Sequence, residues 1–254
     1  PEVAKFMMLF EGIILGILIG LVLGIIGAGG AILAVPGLIA VMGLSTVAAT
    51  TSSLVIVGSA AVAGFIPRLK TKTVDIRLGL TFSALGILGT FAGTQLVKIV
   101  PESAQLILFA TLMFGAAIAM WRGPVNESSS QVKSQWPLVF LVATAIGVLT
   151  GLLGVGGGFL IVPALVLILK VPTKTAAGTS LVAIASTSAI AFLMRFEYWS
   201  EVPAGPVVSF TLAAIVSSFL AAPIAGKLNA RTLQKGFAIF VTLAAIAILA
   251  SRGF

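Results

Sequence analysis

The sequence predicts an all-α polytopic membrane protein made of two inverted repeats, each a glycine-broken helix hairpin followed by three transmembrane helices. Hydrophobic residues make up 59% of the 254 residues and charged residues 9%, too little polar material to cover a water-soluble globule. No Asp, Glu, Lys or Arg lies between Glu11 and Arg68. Later uncharged stretches bring the total to roughly 8–10 membrane segments of the length that a bilayer requires.

The repeat is visible in one gap-free alignment. The stretch GLVLGIIGAGGAILAVPGL at 20–38 recurs as GVLTGLLGVGGGFLIVPAL at 147–165, a shift of 127 residues from Gly20 to Gly147. We expect residues 1–123 to form the first membrane repeat, 124–136 a polar cytoplasmic linker, and 137–254 the second repeat.

In the first half, glycines spaced four apart in the segment 6–26 predict a helix with a face for close packing. The Gly-rich break at 27–30 and the shorter apolar run to Gly43 predict a discontinuous hairpin. Ser45 is a plausible N-cap for a helix over 45–66. Two more helices follow, at 78–97 and, after Pro101, at 104–121.

The second half repeats this plan. The apolar segments predict helices over 137–154, 158–169, 175–194, 204–226 and 233–250. Five segments per half make an odd number of passages, which inverts the second half relative to the first.

The distribution of Lys and Arg gives the orientation, because these residues are enriched in cytoplasmic loops. With loop 67–77 inside, 11 of the 15 Lys and Arg lie inside: four in that loop, Arg122 and Lys133 in or next to the linker, two in the connector 170–174 and three in 227–235. We therefore place both termini outside. Topology accounts for most of the net charge of +8, so we expect anionic lipids rather than nucleic acid as partners.

Several classes of function are disfavoured by what the chain lacks. It contains no Cys and no His, which removes disulfides, thiol relays and most transition-metal sites. Its apolar segments hold almost no ionisable side chains, which argues against an enzyme that needs an acid–base pair. We expect no cofactor, no metal and no catalytic residue.

The glycine turns are the predicted binding elements. A helix that starts with glycines has unpaired amide N–H groups and a positive dipole end, which suit an oxyanion. Inversion would bring two such ends to one cavity near the midplane, with nearby hydroxyls as further donors. The alternative is that the glycines only allow packing and the hydroxyls only bond between helices or to their own backbone. The predicted substrate-binding residues are Gly29, Gly30, Gly156, Gly157, Gly158, Thr50, Ser52, Ser53, Thr179 and Ser180.

The paired GxxGxGG…VP signatures, with the following segments TTSSLV at 50–55 and AGTSLV at 177–182, resemble the sulfite exporter TauE/SafE family, also called the four-toluene-sulfonate uptake permease family. The resemblance covers nearly the whole chain. It implies transport of sulfur-containing oxyanions and sulfonates, such as sulfite or sulfoacetate, across a bacterial plasma membrane.

We therefore expect a secondary transporter, most simply an exporter, that works by alternating access around a midplane site. A passive anion channel and a non-transporting membrane scaffold are the alternatives. The expected partners are a small sulfonate or sulfite anion and membrane lipids, with a homodimer left open.

Overall fold

The computed structural model describes residues 2–96, 99–123, 136–153 and 158–251, and over these ranges the chain is helical, without strands. A π-helical turn, Ala164–Ile168, continues the seventh helix, and a 3-10 helix, Phe196–Glu201, follows the eighth. The α-helices of the described ranges are α1 Glu2–Ile26, α2 Gly30–Met42, α3 Thr46–Lys70, α4 Ile76–Leu96, α5 Glu102–Arg122, α6 Trp136–Leu153, α7 Gly158–Pro163, α8 Thr173–Met194, α9 Ala204–Lys227 and α10 Ala230–Ser251.

The helices have the length and composition of a polytopic membrane protein. Within the described ranges, α3, α4, α8 and α9 are each long and apolar enough to cross a bilayer. The shorter apolar stretches lie in the other helices. Large side chains such as Leu88 and Leu220 remain exposed on the outside of the bundle, as expected of a surface that faces lipid. The predicted all-α polytopic membrane architecture is confirmed.

The helix ends follow from local chemistry. Ser45 caps α3 by accepting a hydrogen bond from the backbone N–H of Ala48 at 3.1 Å. Pro101 is the N-cap of α5. One end differs from the prediction, because α3 runs through Pro67 to Lys70 instead of stopping at 66. Its last turn is held by the Arg68 guanidinium, which donates to backbone carbonyl oxygens at the end of α1.

Each of the two most closely packed helix pairs contains one helix from each half of the chain. In the 127-residue alignment α1 corresponds to α6 and α4 to α9, and α1 packs along α9 just as α6 packs along α4. Two other helices, α3 and α8, are counterparts of each other; they start at Thr46 and Thr173 and pack together.

The counterparts α3 and α8 run in opposite directions. Thr50, near the start of α3, accepts a hydrogen bond from Arg195 at the end of α8. Gly64, near the end of α3, packs against Leu181 near the start of α8. This arrangement favours the inverted repeat, which stays a prediction, as do the domain limits. The predicted linker lies outside the described residues apart from its last residue, which begins α6.

Glycines allow the helices of the α1–α9 and α4–α6 pairs to come into backbone contact. A Cβ built on Gly24 of α1 would lie 2.5 Å from the carbonyl oxygen of Ser218 on α9. In the other pair, a Cβ on Gly151 of α6 would lie 2.9 Å from the backbone nitrogen of Thr94 on α4. Real Cβ atoms do not approach other atoms so closely, so these positions require glycine. The packing role that the sequence suggested for the α1 glycines is therefore observed.

Candidate functional site

A cavity of about 340 Å³ lies between the two halves of the protein. Helices α2, α3 and α4 of the first half and α6, α7 and α8 of the second half form its wall. The wall is mainly apolar, with one guanidinium and eight hydroxyl groups. Two lining side chains, Phe91 and Met194, are 68% and 69% exposed, so the cavity wall reaches the surface of the bundle. The hydroxyls belong to Thr50, Ser53, Ser83, Thr90, Thr94, Thr150, Thr187 and Ser188.

Most of these hydroxyls donate to the backbone of their own helix. Ser53 Oγ donates to the carbonyl oxygen of Thr50 at 2.8 Å, and Thr90 and Thr150 bond in the same way to the carbonyls four residues earlier. A hydroxyl has one proton and two lone pairs. Each of these groups therefore presents acceptor lone pairs to the cavity and must rotate before it can donate to a bound anion.

Arg195 is the charged side chain on this wall. It is the C-cap of α8, a position where a cation interacts favourably with the helix dipole. Its side chain is half-buried, and one Nη donates to Thr50 Oγ1 at 2.8 Å. A guanidinium has five N–H donors, so Arg195 supplies permanent donors that the hydroxyls do not.

The predicted site residues are divided between two regions. Thr50, Ser53 and Gly158 line the cavity. Gly29, Gly30, Ser52, Thr179 and Ser180 are buried outside its wall. Gly156 and Gly157 lie outside the described residues, so the predicted meeting of two glycine turns stays a prediction.

The first glycine turn is packed against other helices. Gly27 and Gly29 have φ of +79° and +92°, a backbone conformation that favours glycine. Gly29 is the N-cap of α2, and a Cβ on it would strike the ring of Phe240 on α10. A Cβ on Gly30 would strike Leu23. Both glycines therefore lie in close contact with neighbouring side chains.

Two predicted hydroxyls hold α8 against the first half. Ser180 Oγ donates to the carbonyl oxygen of Gly27 at 2.6 Å. Thr179 Oγ1 accepts from the backbone N–H of Asp75 at 2.9 Å, in the turn between α3 and α4. Both hydrogen bonds join α8 to turns between helices of the first half, a structural role like the alternative that the sequence allowed. Ser52 Oγ, by contrast, is buried without a hydrogen-bond partner among the described residues.

Sequence reasoning missed Arg195, which is not among the predicted binding residues. One signal was available, because the 127-residue shift aligns Arg195 with Arg68, and a repeated arginine in a chain with so few charges is uncommon. In the described part of the chain, no cluster of acidic residues could hold a metal ion. No carboxylate lines the cavity, so its fixed charge is positive.

Comparison with known proteins agrees with this architecture. Residues 12–248 match the family model described as sulfite exporter TauE/SafE. A probable membrane transporter protein of Xylella fastidiosa strain Temecula1 is 32% identical over 232 residues, which cover 89% of this chain and 88% of that protein. The probable membrane transporter protein YunE of Bacillus subtilis is 27% identical over 197 residues, covering 66% and 71%.

A second Bacillus subtilis protein, the probable membrane transporter protein YdhB, is 25% identical over 186 residues, which cover 70% of this chain and 71% of that protein. No solved structure matches the chain. The family match spans most of the sequence and agrees with the apolar helices. The chain therefore belongs to the sulfite exporter TauE/SafE family and is a multi-pass membrane transporter.

Proposed function

We propose that this protein is a secondary transporter that exports small sulfur-containing anions, such as sulfite, sulfoacetate or other organosulfonates, across the bacterial cell membrane by alternating access. The observation that carries the proposal is the Arg195 guanidinium on the wall of a cavity between the two halves. The family match supports the class of substrate.

The chemistry of the cavity suits an organosulfonate. A guanidinium is a planar fork of donors that can bind two oxygens of one anion together. The apolar part of the wall suits the short carbon chain of a sulfonate, and hydroxyls such as Ser53 can turn to donate to a third oxygen. The volume of about 340 Å³ lies near the lower end of the range for small-molecule sites, about 300–1,000 Å³.

The membrane potential determines the direction of transport. An inside-negative potential favours the exit of an anion by about 2.3 kcal/mol per charge per 100 mV. Export therefore needs no coupling ion. Under the orientation given by the charge rule, Arg195 lies at the outer end of the bundle, so the cavity with its exposed rim is the outward-facing state of the transporter.

Flux into proteoliposomes tests this function. The purified protein is reconstituted, and the rates for sulfite, sulfoacetate, taurine, sulfate and acetate are measured over a range of concentrations. We expect saturable flux that is fastest for the sulfonates or sulfite and is driven by an imposed potential. Flux that never saturates, with unitary currents, would instead establish the channel alternative.

Arginine variants connect the flux to the cavity. We expect Arg195→Gln to raise KM about ten- to hundredfold, because a hydrogen bond to a charged group contributes about 1.5–3 kcal/mol. Arg77→Gln is the matched control, since it removes the same charge from an exposed position outside the cavity wall. Equal KM values in the two variants, or no preference for sulfur anions over acetate, would contradict the proposal.

A further inference from the structure

Two arginines occupy equivalent places in the repeat but have opposite environments. The 127-residue shift that aligns the glycine motifs also aligns Arg68, near the end of α3, with Arg195 at the end of α8. Arg195 is half-buried on the cavity wall. Arg68 is only 4% exposed, and its guanidinium donates to the carbonyl oxygens of Gly24 and Ile25 at the end of α1.

Arg68 is not fully satisfied in this position. Its Nε has no hydrogen-bond partner among the described residues, and the partners of its guanidinium there are neutral carbonyls rather than a carboxylate. A buried donor without a partner costs about 1–3 kcal/mol, and more when the group is charged. A charged side chain within a membrane helix generally marks a functional path. Both points single out Arg68 as a buried charge whose donors are not all used among the described residues.

The region around Arg68 is the packed counterpart of the cavity wall. The shift aligns Thr90 and Gly151 of the wall with Ser217 and Gly24, which are both buried. Ser217 Oγ donates to the backbone of its own helix at 2.7 Å, as Thr90 does in the cavity. The same groups therefore exist on both sides, but Ser217 is buried, whereas Thr90 is half-buried and lines the cavity.

A second orphaned polar atom lies in the packed region. Ser218 is fully buried, and its Oγ has no hydrogen-bond partner among the described residues. A Cβ built on Gly64 would lie 2.6 Å from that oxygen, so α3 and α9 are in close contact here. The aligned residue of the other half is Phe91, which lines the cavity and is mostly exposed.

Helix packing shows the same asymmetry. The pair of α1 and α9 packs tightly against α3, and α9 lies closely along it. The equivalent pair of α6 and α4 lies more loosely against α8, and the cavity occupies the space between them. The two halves thus hold the same helices in a closed and an open arrangement.

We propose that Arg68, Ser217 and Ser218 form the closed counterpart of the cavity, a second anion-binding wall that opens on the opposite side of the membrane when the halves exchange arrangements. In that state the α1–α9 pair moves away from α3, and Arg68 leaves the α1 carbonyls and faces the anion. Arg195 then bonds to the carbonyls of Gly151 and Leu152, which the repeat aligns with Gly24 and Ile25. This inference rests on the proposed function and names the residues of its second state.

Cysteine labelling tests the second state directly, because the chain contains no Cys. Thr90→Cys and Ser217→Cys are a matched pair at equivalent positions of the repeat. Each variant is treated with a membrane-impermeant maleimide in right-side-out and in inside-out vesicles. We expect the two cysteines to react from opposite faces of the membrane, with Ser217→Cys reacting from the side that bears the 67–77 loop.

The labelling rates of the two cysteine variants should also differ. A minor conformation is typically populated at about 0.1–10%, so Ser217→Cys should react about tenfold or more slowly than Thr90→Cys while the described arrangement dominates. Sulfoacetate at saturating concentration should change both rates, in opposite directions if it shifts the equilibrium between the two states. Labelling after denaturation shows that both cysteines are present, and a monodisperse chromatographic profile shows that both variants are folded.

Arg68 variants give an independent readout. Arg68→Gln should raise the KM for sulfoacetate on the 67–77 side about tenfold, with a smaller change on the other side, and Arg68→Lys should restore part of the loss. A purely structural role would lower thermal stability without a difference between the two sides.

The outcomes separate this inference from the proposed function. If the wild-type protein transports sulfur anions but Ser217→Cys is labelled from neither side, or from the same side as Thr90→Cys, the second wall does not exist, although the transport function stands. If no anion of the panel is transported but the two cysteines react from opposite sides, the proposed substrates are wrong and the exchange of arrangements stands.

Discussion

Replacing Gly151 by Ala should push apart the two helices that form one side of the cavity. Gly151 is buried on α6 and lies against the backbone of α4. A Cβ at this position would lie 2.9 Å from the nitrogen and 3.0 Å from the carbonyl carbon of neighbouring α4 residues, Thr94 and Thr90, and closer still to the carbonyl oxygen of Thr90. These are backbone atoms, which cannot turn aside as the end of a long side chain can.

The expected loss of stability follows from this overlap. The helices must separate, and a gap of about 0.5–1 Å already forfeits a quarter to a half of the dispersion energy of each contact along the interface. Overpacking of this kind costs about 1–3 kcal/mol. For chains of about 150–250 residues, 1 kcal/mol lowers Tm by about 2–4 °C. We therefore expect Gly151→Ala to lower Tm by about 2–12 °C.

Thermal unfolding in detergent, followed by the fluorescence of the 3 Trp residues, measures this change. Gly115→Ala is the matched control, because Gly115 lies within α5 and no atom outside its own helix backbone would meet a Cβ there within 4 Å. A compatible Gly-to-Ala change stabilises by about 0.4–1 kcal/mol, so this variant should melt no lower than wild type. If Gly151→Ala melts at or above the temperature of Gly115→Ala, the close approach of α4 and α6 is wrong.

Two further changes test the first glycine turn. Gly27→Ala places a side chain at φ +79° and against the carbonyl of Ala177, so it should destabilise the protein by at least about 1–3 kcal/mol, measured as a fall in Tm; an unchanged Tm would contradict the turn geometry. Ser180→Ala removes the hydrogen bond to Gly27 and should cost about 0.6–2 kcal/mol, a smaller fall in Tm, whereas Ser209→Ala, which removes a bond within a single helix, is its control.

Much of the fold could be predicted because its causes are local. Long uncharged stretches set the helices, and residues such as Ser45 and Pro101 set their starts. The repeat could be aligned by its glycines, and the same glycines were expected to permit close packing, as the α1–α9 interface shows for Gly24. The end of α3 was placed too early, because Arg68 stabilises its last turn through a contact with α1, which no local pattern indicates.

The site was harder to predict because its two halves are equivalent in sequence but not in packing. The short helices α2 and α7 correspond in the repeat, yet Gly158 at the start of α7 lines the cavity, and Gly29, the N-cap of α2, lies against Phe240. The hydroxyls divide in the same way, since Ser53 lines the cavity while its counterpart Ser180 holds the first glycine turn. Which copy faces open space depends on tertiary packing, and alignment within the chain carries no information about it.

The most direct test of the central claim is equilibrium binding of sulfoacetate to the purified wild-type protein, to Arg195→Gln and to Arg77→Gln. A cavity whose permanent positive charge is Arg195 predicts that Arg195→Gln weakens Kd about ten- to hundredfold, while Arg77→Gln binds like wild type. Sulfoacetate bound with the same Kd by all three proteins would contradict the account.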